Sequence, residues 1–576
     1  MKNKIDLTND PSELFLNPWQ DEGLKLLREP EFLWREIPAA KIAGFAVSEY
    51  RAINQKIRSF TDTTRRQRTF RSAVEINTVP VVIDDAQFRK SSLMAGGKLV
   101  LSGASGTRLL NGYRWDHEAA DFDPEEKLQL FFEACQGANK GKSLPVETTF
   151  LENDIHFAIE CRNTFNFYHF MTESLAQLTV LDEVGFQGDV YFHYPNNEEK
   201  RGSFAEAFVS ALFPEFAGRV FFERAPKEYN LVLTAFDMTH ALGQVSKSEV
   251  AGVEKLMPRA GGKKPKLSCA EGQLTLGMNA VSSSLIALRA RALKLIEGHD
   301  FSYLPKRLFV ERADGSSRNR PLEGESNLFE HLQRIGFEKI SFENLTPLEQ
   351  VAIMAQAEVM VSAHGAGFTN MLFANPDAFV IELGTLQTAR YRWKDFWPLA
   401  HASQCHYVSF FADFNADDPL REPKFDQDGI VPVRLSDDGV AQIMSFVVTV
   451  LGHTPEMLVP DALEKLGRRV LRSGAVAQAI TLLESHREMI SGNLDLCLLM
   501  ADCHKEMGET KSELVALDLA FHADVSRWQT LIRIFWCASN CDRPQVVRWA
   551  LALLERDFPD RYEAFVSNHE WVRFVA

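Results

Sequence analysis

Between residues 150 and 383, short apolar runs of strand length alternate with stretches of helical period. The alternation breaks only once, at Gly261-Gly262-Lys263-Lys264-Pro265-Lys266. Parallel strands need a crossover long enough to hold a helix, so this pattern predicts parallel sheets covered by helices. Before the break, Phe157 to Cys161, Asp189 to His193, Arg219 to Phe222 and Leu231 to Phe236 read as strands, with helices over Asn166 to Leu181 and Phe204 to Leu212. After it, Arg307 to Glu311, Lys339 to Phe342, Val359 to Ser362 and Ala378 to Leu383 read as strands, and Ser326 to Ile335 and Thr346 to Ala355 as helices. The last helix is the best marked. Thr346 supplies an N-cap hydroxyl, Pro347 takes the first helical position and Glu349 closes a capping box. The expectation is an α/β fold of two Rossmann-like domains, residues 91–265 and 266–455, behind a mixed N-terminal extension, residues 1–90.

Beyond residue 460 the strand signals stop and a 34-residue echo begins. Gly474-Ala475-Val476, Gly508-Glu509-Thr510 and Asp542-Arg543-Pro544 recur at that interval, with Leu483, Leu517 and Leu551 in the same register. This is the tetratricopeptide period, in which helix pairs stack because one repeat cannot bury its own apolar face. Residues 456–576 are therefore expected to form an all-α tail that recruits a protein partner or a second copy. An ordinary helical bundle is the alternative.

A length of 576 residues suggests three or four domains, and 45% hydrophobic with 24% charged residues is the composition of a folded globular chain. A net charge of −15 gives nucleic acid no electrostatic invitation. No stretch approaches the apolar length that spans a bilayer, and the first ten residues lack a signal pattern. With eight sparse cysteines, these features predict a cytoplasmic protein with reduced thiols and no transmembrane segment. The basic run Thr64 to Arg68 reads as a solvated face.

Two segments carry candidate chemistry. In the first, the apolar run Val359 to Ser362 leads through Ala363 into His364-Gly365-Ala366-Gly367 and then a helix holding Thr369 and Asn370. In open α/β sheets ligands lie beyond the carboxyl ends of the strands, and a helix N-terminus favours an anion. A phosphate suits the place, and Arg312, Arg318 and Arg320 follow another strand toward the same edge. Glu382, closing a strand, is expected to accept from a ribose hydroxyl or to form an ion pair. A hydrolase would want a Gly-x-Ser-x-Gly elbow, which the chain lacks. The second segment is the predicted helix from Asn166. There Asn166, His169, Glu173 and Gln177 share one stripe without lysine or arginine, as a cleft-facing surface would. A carboxylate facing a diphosphate across a cleft suggests a general base. Glu173 is the candidate, while His169 could orient it, bind the acceptor or be the base itself.

Together these residues resemble glycosyltransferase family 61, an inverting group of GT-B architecture. The resemblance runs over about residues 150 to 390. It rests on Tyr168-His169-Phe170-Met171-Thr172-Glu173 and on the ordered set Arg312, Arg318 to Arg320, Glu349-Gln350, Ala357, His364 to Phe373 and Ile381-Glu382-Leu383. It implies a nucleotide-sugar donor such as a UDP-sugar and a glycan, glycolipid or glycoprotein acceptor, reached at the inner face of the membrane where the acceptor is tethered there. Glu173 becomes the catalytic acidic residue, and Arg312 with His364, Gly365, Ala366, Gly367, Thr369 and Asn370 the phosphate contacts. Arg318, Arg320 and Glu382 join the donor side, and Asn166 and Tyr168 the acceptor side. No metal is implied: the Asp121/Asp123 and Asp426/Asp428 spacings stand in polar loops. The chain departs from the family in carrying Glu173 where Asp is common and Gly324-Glu325 where an Asn-Glu pair is common. The alternative from another class is a non-catalytic glycan- or nucleotide-binding scaffold working through its repeats.

Overall fold

The computed structural model describes residues 10–117, 121–147, 155–162, 166–182, 184–195, 204–259, 262–311, 322–455 and 458–574. The chain forms two compact units. Residues 1–323 and 333–434 make one, and residues 324–332 and 435–576 the other.

The first unit holds two large sheets. One contains the parallel strands Phe157–Glu160, Val190–Tyr194 and Val220–Arg224, with Lys227–Asp237 parallel to Phe157–Glu160 on its other side. Thr78–Arg89 then pairs antiparallel with Lys227–Asp237, so this sheet is mixed. In the second, Glu338–Ile340, Arg307–Val310, Val359–Ala363, Phe379–Thr385 and His406–Phe414 lie side by side in that spatial order, all parallel. Chain order and spatial order diverge at the first strand, Arg307–Val310, whose two neighbours run off in opposite directions. In open parallel sheets, ligands are taken at the carboxyl ends beside such a divergence. Strand Phe379–Thr385 is buried at every position, as expected of a strand covered on both faces.

The N-terminal residues take part in both sheets. Leu24–Leu26 pairs with Thr78–Arg89 in one, and Lys41–Ala46 adds a parallel strand beside His406–Phe414 in the other. A continuous hydrophobic core joins the sheets. It includes Phe157 and Phe192 from the first, Val380 and Phe411 from the second, and Leu285 and Leu288 of the helix Ser283–Ile296.

Most predicted elements appear within a residue or two. The capping box at Thr346 forms, with the Glu349 backbone N–H donating to Thr346 Oγ1 and the Thr346 N–H to Glu349 Oε2. The expected helix from Asn166 to Leu181 does not run through. An α-helix covers Phe167–Glu173, Ser174 leaves helical geometry at φ −127°, and a 3-10 helix covers Leu175–Leu181. The tighter winding re-phases the side chains, so Gln177 turns into the interior and leaves the expected polar stripe.

In the second unit helices open at Pro460, Leu494 and Trp528, and their partners at Val476, Thr510 and Pro544, each series in 34-residue steps. Leu483, Leu517 and Leu551 are all buried. Gly474, Gly508 and Asp542 turn the chain at equivalent points with φ of 87°, 74° and 53°, the left-handed region that ends many helices. The departure at Gly324 has a local cause. Its φ is 85°, and a Cβ there would stand 2.6 Å from the Leu435 carbonyl oxygen.

Candidate functional site

The site is built on two histidine–glutamate pairs, one at the carboxyl edge of each sheet. The first grows from the helix Phe167–Glu173, where an i, i+4 spacing stacks His169 over Glu173. His169 Nδ1 lies 2.7 Å from Glu173 Oε1. A carboxylate can only accept, so Nδ1 carries a proton, and in the neutral ring Nε2 is then the nitrogen with the lone pair. The other carboxylate oxygen accepts from Arg108 Nη1 at 2.9 Å, and Arg162 Nη1 stands 4.0 Å from Oε1. Burial pushes the Glu173 carboxyl upward. The His169 hydrogen bond and the Arg108 and Arg162 charges outweigh it, and the carboxyl rests below its ordinary range. Beside it, Glu160 closes its strand with Oε1 4.0 Å from Arg108 Nη2. Burial, only partly offset by Arg108, pushes that carboxyl up to about 7.

The second pair joins neighbouring strands. His364 Nδ1 lies 2.5 Å from Glu382 Oε1, while Tyr407 and Ser409 hydroxyls donate to Oε2 at 2.6 and 2.9 Å. Glu382 is fully buried and both its oxygens are engaged, so its contacts favour the alternative reading, a partner that fixes His364, over the expected ribose contact. The turn His364 to Gly367 remains partly exposed, and a 3-10 helix, Ala366–Phe373, follows it. Gly365 has extended backbone at φ 179°, and a Cβ on Gly367 would only touch Phe342 at 3.5 Å. The fold therefore does not require glycine at either place for backbone geometry. Thr369 and Asn370 are fully buried, and Asn370 Nδ2 donates to Gln350 Oε1 at 3.0 Å.

The helix Phe167–Glu173 packs on the Ala366–Phe373 segment, and an aromatic bridge links the two pairs. The Tyr168 ring meets Phe396 edge-on at 5.7 Å, and Phe396 lies 5.4 Å from the His364 ring. Tyr168 Oη donates to the Asp395 carbonyl at 2.8 Å. Asn166, an expected acceptor contact, caps the helix by accepting from the His169 N–H at 3.3 Å. Both Asn166 and Tyr168 thus spend polar atoms on the chain itself. Arg312, Arg318 and Arg320 lie outside the described residues.

Sequence reasoning missed Arg108, Glu160 and Arg162. Glu160 had a signal, a lone acid closing an apolar strand. Arg108 had none, because its contact spans 65 residues. Among the described residues, no group of three or more His, Cys, Asp or Glu side chains could hold a metal ion, and no helix is long and apolar enough to cross a membrane.

Residues 167–381 match the family model described as Glycosyltransferase 61. No curated protein matches the chain. A solved structure titled "MamA MSR-1 C2" is similar at 13% identity over 21% of this chain and 68% of that chain, with a TM-score of 0.18, too low to carry an argument. The matched span opens on the helix of the first pair and reaches the strand of the second, so the match to glycosyltransferase family 61 takes in elements of both pairs and supports a glycosyltransferase.

Proposed function

We propose that the chain is an inverting glycosyltransferase that moves a sugar from a nucleotide-sugar donor, first among them a UDP-sugar, to a hydroxyl of a glycan, glycolipid or glycoprotein. The acceptor oxygen attacks the anomeric carbon as the bond to the diphosphate breaks. The electron pair leaves with the nucleoside diphosphate, and the acceptor proton goes to a base. Glu173 has both oxygens engaged and a reduced proton affinity, which weakens it as a base. His169 offers Nε2. We therefore assign proton removal to His169 and orientation of its ring to Glu173, reversing the order that the sequence first suggests.

The donor phosphates are placed at the His364 to Gly367 turn, with Arg312, Arg318 and Arg320 as cationic partners and no metal in the scheme. Support comes from two glycines that the backbone itself does not demand, since a ligand's close approach would demand them. The 34-residue helical array is read as tetratricopeptide-like and as the recruiting surface, and the setting as cytoplasmic. One observation carries the reading above all. The His169–Glu173 pair sits at a strand's carboxyl end, on a helix packed against the segment that follows His364.

The test is a thermal-shift panel of UDP-, GDP- and CMP-sugars, followed by anomeric NMR of the product formed from the stabilising donor. Stabilisation by one nucleotide family and a product of inverted configuration are expected. Indifference to every nucleotide, or retained configuration, sinks the proposal.

A further inference from the structure

The geometry points to Arg108 as a positioning residue of the transfer reaction, one cation set between two buried carboxylates so that Glu173 stays ionised and its imidazole partner stays aimed. This rests on the reading of His169 and Glu173 as the proton-removing pair.

Arg108 comes from the helix Gly103–Asp116, outside the matched family region, yet its side chain reaches the centre of the site. Nη1 donates to Glu173 Oε2 at 2.9 Å, and Nη2 donates to the Ser91 carbonyl at 3.2 Å while standing 4.0 Å from Glu160 Oε1. The backbone contact gives the guanidinium a second fixed partner beside Glu173, which restrains the fork. The side chains of Arg108, Glu160 and Glu173 are all largely shielded from solvent, so their charges are weakly screened.

Among the described residues, Arg108 is the cation closest to Glu173. Glu173 faces His169 on its own helix, Arg108 from Gly103–Asp116, and Glu160 and Arg162 from the Phe157–Glu160 strand and its exit. Arg392 and Asp395 act on the neighbouring Tyr168 from the Trp393–Phe396 side, and His364 lies beyond Phe396. Arg162 is more exposed than Arg108 and stands 4.0 Å from the carboxylate rather than in hydrogen-bond contact. Without Arg108, Glu173 loses a hydrogen-bonded positive charge that favours its ionised form, and its proton affinity rises. A protonated Glu173 could no longer hold the Nδ1 proton of His169 in place.

The experiment measures kcat and KM against pH for the full-length protein and for Arg108→Gln, Arg108→Lys and His169→Gln, using the sugar nucleotide that stabilises it in the panel above. Arg108→Gln is expected to lower kcat about 100-fold with little change in KM. It should also move the acidic limb of the pair to higher pH by about one unit, because the ionised carboxylate loses its favouring charge. Arg108→Lys should restore the limb. A loss equal at all pH values with no rescue by lysine overturns the proposal, as does an unmoved limb. If Arg108→Gln does not fold, a lysine variant whose limb departs from that of the parent by the same full unit overturns it, and one that keeps the limb supports it. His169→Gln tests the underlying reading separately. Full activity there removes the base assignment whatever Arg108 does.

Discussion

His364 and Glu382 come from adjacent parallel strands and meet across them, with 2.5 Å between Nδ1 and Oε1. The carboxylate is fully buried and also accepts from Tyr407 and Ser409, so the ring is held from beneath by a satisfied network. Glu382→Gln keeps the shape but places an amide N–H₂ against either the two hydroxyls or the imidazole N–H. We expect a loss of about 1–3 kcal/mol in stability by denaturant titration. The same variant should weaken nucleotide stabilisation, since the orientation of His364 would no longer be fixed.

His169 and Glu173 should behave as a unit. Either His169→Ala or Glu173→Gln is expected to lower kcat by about 10²–10⁴, the usual worth of positioned proton transfer. The double variant should be little worse than the stronger single one. Additive losses in the measured rates would show that the two residues act independently.

Glu160 gives the stability a defined pH dependence. Its carboxyl is raised from 4.5 to about 7 by burial, so between those values the folded state binds more protons than the unfolded one. Stability from this group is present below about 4.5 and fades as pH rises through about 7. The change is at most about 3 kcal/mol. Glu173 works the other way, because its lowered carboxyl loses stabilisation as pH falls. Melting Glu160→Gln beside the parent from pH 4.5 to 7.5 should show the variant gaining relative stability with rising pH. A constant difference would contradict the assignment.

Gly508 isolates backbone conformation from packing. Its φ is 74°, and a Cβ would meet nothing within 4 Å. Gly508→Ala should therefore cost about 1 kcal/mol through strain alone. Asp542, at the equivalent turn with φ 53°, already carries that strain. Asp542→Gly is expected to be neutral or to raise the melting temperature.

The strands of the second sheet were legible because burial on both faces makes them continuous apolar runs, and Thr346 to Glu349 announced a helix by local chemistry alone. The helical array was legible through its period. Residues 51–67 were not, because two of the four buried positions on that helix, Ile53, Ile57, Thr61 and Thr64, are threonines and blur the apolar stripe. His169 and Glu173 could be paired from their spacing. The helix break after Glu173 could not be foreseen, since Ser174 is held by donating its hydroxyl to the Glu160 carbonyl, a contact between separate elements. Glu382 was placed on the right strand, but its partners Tyr407 and Ser409 lie 25 and 27 residues on, beyond any local pattern.

The strand Lys41–Ala46 lies against His406–Phe414, and just past it the Ser48 hydroxyl donates to Asp413, a partner 365 positions later. On the ribosome, this early segment leaves the exit tunnel long before anything exists for it to join. The later sheet cannot acquire this edge member until nearly the whole first unit has been translated. A chain trimmed to begin at residue 91 would leave an open, apolar margin along Phe410 and Phe411 and should aggregate.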